Sequence, residues 1–98
     1  MRSTKKLRLI HPGELLRDEL QERSVSLSEL ARSIRVPMNR ISSIVSGKRS
    51  ITADTALRLA CYFGTSAQMW MNLQTAYDLE VAERQTGDKI QREVLKSA

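Results

Sequence analysis

The 98-residue sequence predicts an all-α protein, a bundle of five short helices followed by a helical C-terminal extension. Apolar residues recur every three or four positions between frequent helix-capping residues, which is the pattern of amphipathic helices. Strand signals are weak, because aromatic residues make up only 4% of the chain and β-branched residues do not alternate with polar ones. A chain of this length is expected to form one compact domain.

The first three predicted helices are short. Pro12 suits the first turn of helix one, and Ser26 with Glu29 forms the capping-box pattern that begins helix two. Pro37 interrupts the chain after helix two, and Gly47 can end helix three. Their apolar stripes are Leu15, Leu16 and Leu20, then Leu27, Leu30, Ala31 and Ile34, then Ile41, Ile44 and Val45.

The second half of the chain predicts two more helices. Thr52 is the expected N-cap of helix four, which Gly64 ends, and Ser66 is the expected N-cap of a longer helix five. Gly87 is expected to separate a last amphipathic segment, residues 90–95. The predicted organisation is therefore a basic N-terminal arm over 1–11, a domain over 12–80 and a helical tail over 81–98.

Positive charge is concentrated in the first half of the chain. The net charge is +5, and residues 1–50 carry eleven basic and five acidic side chains, against five and six over residues 51–98. No acidic residue lies between Glu29 and Asp54, and we call residues 30–53 the acid-free interval. Its basic residues are Arg32, Arg35, Arg40, Lys48 and Arg49. Because all the charged residues of this interval are basic, the sequence favours a surface that faces phosphates. The alternative is an ordinary solvated face.

Helices two and three predict a helix-turn-helix, because two short helices with so brief a connection are typical of that unit. Ala31 supplies the small residue needed where the helices cross. Arg35 occupies the turn position that favours glycine, since φ is positive there, at a cost on the order of 1 kcal/mol. The residues expected to form the wedge between the helices are Leu30, Ile34, Val36, Ile41 and Ile44.

Helix three is predicted to lie in the major groove of double-stranded DNA with its N-terminal residues facing base edges. Asn can pair with adenine, Arg with guanine, and Met can touch a thymine methyl. The expected base-contacting residues are Met38, Asn39, Arg40 and Ser43. The expected phosphate-contacting residues are Ser28, Ser42, Ser46, Lys48 and Arg49. The alternative is that these side chains form only the solvent face of a short helix.

From His11 to Glu80 the chain resembles the HigA/VapI-type antitoxins of the lambda-repressor-like (XRE) helix-turn-helix family. The resemblance rests on residues 11–16, 41–49, 51–60, 63–66, 70–74 and 77–80, of which 51–60 and 70–74 are the most specific. Three residues depart from the family pattern. Arg35 replaces the usual glycine, Pro37 the usual serine cap, and Leu27 stands where XRE proteins often carry a phosphate-binding Gln.

The resemblance implies an antitoxin that neutralises an RNA-cleaving toxin, a HigB-like ribonuclease, and that represses their shared operon as a homodimer on operator DNA. The alternative is a phage-type or general XRE repressor without a toxin partner. A basic ribonuclease would be repelled by the acid-free interval, so we expect it to contact the acidic first helix. The alternative is that the acidic side chains of this helix are only an exposed, solvated face. The helix-one acids are Glu14, Asp18, Glu19 and Glu22, and the apolar-basic arm through Leu7, Leu9 and Ile10 that leads into them is expected to contribute to the contact. The dimer contact is expected on helix five and the tail.

Other functional classes are disfavoured. The chain has a single histidine, His11, and no P-loop, GxGxxG or HExxH motif, so no enzymatic activity is expected. One histidine and one cysteine exclude the common zinc sites, so neither a metal nor a cofactor is expected. Cys61 is expected to be a buried small hydrophobe. Without an apolar run long enough to span a membrane or a signal peptide, the chain is expected to be cytoplasmic with no membrane partner.

Overall fold

The computed structural model describes residues 9–97, which form five helices joined by short connections. These are α1 (Pro12–Glu22), α2 (Leu27–Ile34), α3 (Met38–Val45), α4 (Ala53–Phe63) and α5 (Ala67–Glu93). The described residues contain no strand. The prediction of an all-α bundle of five helices is therefore confirmed. Of the expected N-terminal arm, residues 1–8 lie outside the described part of the chain.

His11 is the N-cap of α1. Its Nδ1 accepts a hydrogen bond from the Gly13 N–H at 2.9 Å, and the Glu14 carboxylate accepts one from the His11 N–H at 3.4 Å. The imidazole is buried and packs edge-on against the Tyr77 ring, with 4.9 Å between the ring centroids. This burial lowers the pKa of His11, against the opposing charges of Asp78 and Glu14. The cap therefore uses a neutral imidazole, as its acceptor role requires.

One continuous core lies between α1, α2, α3, α4 and the first part of α5. Every residue expected to form the wedge between α2 and α3 is buried, which confirms that packing prediction. Trp70 adds its indole from α5, where Nε1 donates a hydrogen bond to Thr65 Oγ1 at 3.2 Å. The core residues are Leu16, Leu20, Leu30, Ala31, Ile34, Val36, Ile41, Ile44, Val45, Ile51, Ala56, Leu59 and Trp70.

The backbones of α1 and α3 touch at Gly13. A Cβ added to Gly13 would lie 1.8 Å from the Ile44 carbonyl oxygen and 2.7 Å from the Ile44 carbonyl carbon. These distances are far inside van der Waals contact, so only glycine lets α1 pack this closely on the end of α3.

α5 is one uninterrupted helix of 27 residues, so the expected break at Gly87 is wrong. An interior glycine weakens a helix by about 1 kcal/mol relative to alanine, which does not by itself end it. An ion pair between Lys89 and Glu93 supports the last turns. Only Trp70 and Gln74 of this helix are buried, and its far end projects from the bundle. Leu79 and Ile90 are exposed apolar residues of α5, and the exposed Val94 and Leu95 follow the end of the helix.

The solvent-facing side of α4 differs from the predicted one. Cys61 is exposed, so the expectation that its thiol is buried is wrong, and Leu57 on the same helix is 61% exposed. The buried side of α4 is formed by Thr55, Ala56 and Leu59. Two residues span about 200° around a helix, which places position 61 nearly opposite Leu59. None of the described helices is long and apolar enough to cross a membrane.

Candidate nucleic-acid interface

The connection between α2 and α3 is a tight left-handed turn. Arg35 has φ 62° and ψ 50°, which confirms the predicted positive φ. Its N–H donates to the Arg32 carbonyl at 3.3 Å, and the Val36 N–H donates to the Ala31 carbonyl at 3.0 Å. These two bonds satisfy carbonyls at the end of α2, and Val36 is inserted into the core. The turn therefore fixes where α3 begins despite the non-glycine residue.

Helix α3 leaves the predicted base-contacting side chains at least partly exposed. Met38 and Asn39 are exposed, and Arg40 and Ser43 are half-buried, whereas Ile41 and the later apolar residues of the helix are buried. Pro37 is the N-cap and provides no side-chain hydrogen bond to the helix. The four residues predicted to contact bases thus share one helix of eight residues, as the sequence indicated.

The segment after α3 folds back onto the end of that helix. The N–H groups of Lys48 and Arg49 both donate to the Ser43 carbonyl, at 2.8 and 3.1 Å, and Gly47 adopts φ 83°. Both basic side chains are exposed. The three serines predicted to bind phosphates are also accessible, because Ser28 and Ser46 are exposed and Ser42 is half-buried. The predicted phosphate-contacting residues therefore all reach solvent.

A cluster of charged side chains that the sequence did not predict adjoins α3. Asp54 Oδ2 accepts hydrogen bonds from Arg40 Nη1 at 3.1 Å and from Arg58 Nε at 2.9 Å. Arg58 Nη1 also donates to the carbonyl of Ile34 at 2.8 Å. The hydrogen bond from Arg58 is the largest cause that lowers the pKa of Asp54, and Arg40 lowers it further. In the sequence, Asp54 stood out only as the acid that ends the acid-free interval.

The acidic residues of α1 have different surroundings. Glu14 closes the capping box with His11, and Glu19 pairs with Arg23 at 3.2 Å between Oε1 and Nε. Asp18 and Glu22 are exposed and lie one helical turn apart. In residues 9–97 no group of three or more His, Cys, Asp or Glu side chains is arranged to hold a metal ion.

Known proteins are similar to this chain in sequence and in the arrangement of their helices. The helix-turn-helix family model matches residues 16–70. Virulence-associated protein I of Dichelobacter nodosus is 55% identical over 76 residues, which cover 76% of this chain and 70% of that protein. The antitoxin HigA of Pseudomonas aeruginosa, solved with the higBA promoter, has a TM-score of 0.89 and 47% identity over 93% of this chain and 100% of that chain.

The chain belongs to the HigA-type helix-turn-helix family. A HigA-family antidote protein from Coxiella burnetii has a similar structure, with a TM-score of 0.88 and 49% identity over 93% of this chain and 100% of that chain. The resemblance to the lambda-repressor-like family is thereby confirmed. The structure shows the surroundings of Leu27, one of the three departures from the family pattern. Leu27 is half-buried against the core, so this position offers an apolar side chain instead of an amide.

Proposed function

We propose that this HigA-family chain is an antitoxin that represses its own operon by binding operator DNA and neutralises an RNA-cleaving toxin. The observation that carries the DNA-binding part is the first turn of α3. There Met38, Asn39 and Arg40 face away from the core inside the acid-free interval. The relative from P. aeruginosa was solved with the higBA promoter, which supports the same role here. A cytoplasmic location belongs to this proposal, because that is where operator DNA is met.

Base reading by α3 is tested by comparing Arg40→Ala with Lys48→Ala. Loss of a guanine-reading arginine is expected to cost about 1–3 kcal/mol on the specific duplex and to relax the preference at one base pair. Loss of a phosphate-binding lysine is expected to weaken all duplexes alike and to reduce the slope of log K against log salt by about 0.9. Fluorescence anisotropy titrations at several salt concentrations measure both effects. Unchanged affinity and base preference in Arg40→Ala would show that the recognition helix is misassigned.

A homodimer is part of the proposal, because one small helix-turn-helix offers little interface for tight specific binding. We place the dimer contact on α5 and the tail, because Ile90, Val94 and Leu95 are exposed there and have no role in the core. A chain that ends at Glu80 is expected to sediment as a monomer at concentrations where the full chain is a dimer. A dimer that persists undiminished in the shortened chain would move the interface to another surface.

The toxin contact is proposed on α1. Asp18 and Glu22 form an exposed acidic pair outside the acid-free interval, and a basic ribonuclease would find complementary charge there. Changing Asp18, Glu19 and Glu22 together to lysine is expected to abolish rescue of cells that express the toxin while leaving repression of an operator–reporter fusion nearly intact. Asn39→Ala combined with Arg40→Ala is expected to do the opposite. If both folded variants lose both activities, the two surfaces overlap and the separation proposed here is wrong.

The alternative is a general XRE-type repressor with no toxin partner. The same cell assay distinguishes the two functions, because a plain repressor would regulate the reporter without rescuing growth from the RNA-cleaving toxin of a neighbouring reading frame. The match to antitoxins over nearly the whole chain favours the antitoxin.

A further inference from the structure

We propose that Asp54 holds Arg40 in its base-reading orientation before DNA is bound, and so acts as a positioning residue for sequence recognition. This inference rests on the proposed function, since it assigns Arg40 to the DNA interface. It adds to that function a residue on α4, outside the helix-turn-helix, that sets how well α3 discriminates between sequences.

The geometry links three helices through one carboxylate oxygen. Asp54, in the first turn of α4, accepts at Oδ2 from Arg40 in the first turn of α3 and from Arg58 one turn along α4. Arg58 is itself fixed by its 2.8 Å hydrogen bond to the carbonyl of Ile34, the last residue of α2. The acceptor that holds Arg40 is therefore tied to the end of the preceding helix. The orientation of Arg40 follows from how α2, α3 and α4 pack together.

The contact leaves Arg40 able to read a base. A guanidinium has five N–H donors, and Asp54 engages only Nη1. Bidentate pairing with guanine needs two donors on one edge of the guanidinium, so a single contact at Nη1 does not consume that capacity. The Arg40 side chain keeps 30% of its surface exposed. Asp54 thus restrains the side chain without withdrawing it from the groove-facing surface.

Restraint before binding improves discrimination. A free arginine side chain loses rotamer freedom when it docks, and here much of that loss has already occurred on folding. The negative charge of Asp54 weakens attraction to phosphates of any sequence alike, so its loss by itself leaves the ratio of specific to non-specific affinity unchanged. Without Asp54, specific binding is expected to weaken relative to non-specific binding by about three- to tenfold.

The test compares Asp54→Ala with Asp18→Ala, which removes the same charge from the exposed side of α1, outside the surfaces proposed for DNA and for the dimer. The probes are the tightest duplex selected from a random double-stranded pool and a scrambled duplex of equal length. Asp54→Ala is expected to lower the ratio of the two affinities about three- to tenfold and to relax preference at the base pair that Arg40 reads. Asp18→Ala is expected to leave the ratio unchanged.

A double-mutant cycle shows whether Asp54 acts through Arg40. In an Arg40→Ala background, the Asp54→Ala change is expected to alter affinity for both duplexes alike. If the chain binds its selected duplex, either of two results would overturn the inference. One is that Asp54→Ala leaves the ratio of the two affinities unchanged. The other is that the ratio falls equally with and without Arg40. Failure of the unmutated chain to prefer any duplex would instead overturn the proposed function, and this inference with it.

Nitrogen relaxation of the Arg40 Nε–H group in the free, unmutated chain provides a measurement that does not depend on how well a variant folds. An ordered guanidinium in the absence of DNA supports the inference, because an unrestrained surface arginine moves on the picosecond to nanosecond timescale. A guanidinium as mobile as that of the exposed Arg92 would contradict it.

Discussion

Changing Gly13 to alanine is expected to destabilise the folded chain by about 3 kcal/mol or more, because the new methyl group has no space. The Cβ would fall 1.8 Å from the carbonyl oxygen of Ile44 and 3.0 Å from the Cα of Val45, both backbone atoms. Backbone atoms cannot rotate away as a side chain does, so α1 would have to separate from α3. Urea unfolding monitored by circular dichroism measures the change.

Gly87→Ala is the matched control, since it makes the same substitution inside a helix. The nearest atom to the added Cβ is Glu83 Cγ at 3.2 Å, the flexible part of an exposed side chain. Alanine is the better helix former, so this variant is expected to gain up to about 1 kcal/mol. Similar small effects at both positions would show that α1 and α3 are not in backbone contact at Gly13.

Gln74→Leu is expected to cost about 1–3 kcal/mol in the free energy of unfolding. Gln74 is 3% exposed, and its Oε1 accepts a hydrogen bond of 2.7 Å from the N–H of Ile51, which is 2% exposed. Leucine nearly preserves the side-chain volume but leaves that buried N–H without an acceptor. The other amide atom, Nε2, donates to Asp78 Oδ1 at 2.9 Å, and this bond is lost as well.

Gln68→Leu serves as the control for this substitution on the same helix. Gln68 is exposed and bonds the side chain of Asn72 at 2.8 Å on the surface. Water can replace that bond, so the free energy of unfolding is expected to change by less than about 0.5 kcal/mol. Thermal unfolding of both variants gives the comparison, and an equal loss in both would show that the bond to Ile51 contributes nothing particular.

Features that depend on neighbouring residues could be predicted from the sequence. Ser26 accepts from the N–H of Glu29 at 3.1 Å, as its position before an apolar stripe indicated. Thr52 and Ser66 likewise cap the helices that they precede. The positive φ of Arg35 follows from the short distance between two apolar stripes, which leaves room for only one kind of turn. Capping and turn chemistry are local, and a single sequence contains them.

Contacts between distant residues could not be predicted. Arg40 and Asp54 are 14 positions apart, and Gln74 and Ile51 are 23 apart, so each pairing depends on the angle at which two helices cross. Residues 70–74 are among the most specific to the family, but their sequence did not predict that Gln74 accepts a hydrogen bond from the buried N–H of Ile51. The exposure of Cys61 could not be predicted for the same reason. Which side of α4 is covered depends on how α2 and α5 pack against it.

The helix proposed to read DNA is also the element with the least stability of its own. α3 has eight residues and no side-chain N-cap, and an isolated helix of that length does not persist in water. Its shape is supplied by the core beneath Ile41 and Ile44 and by the backbone of α1 at Gly13. A chain in which α3 has separated from the core would therefore lose sequence recognition completely, not in part. The occupancy of an operator would follow the fraction of chains that are folded, so control over folding or proteolysis would act directly as control over transcription.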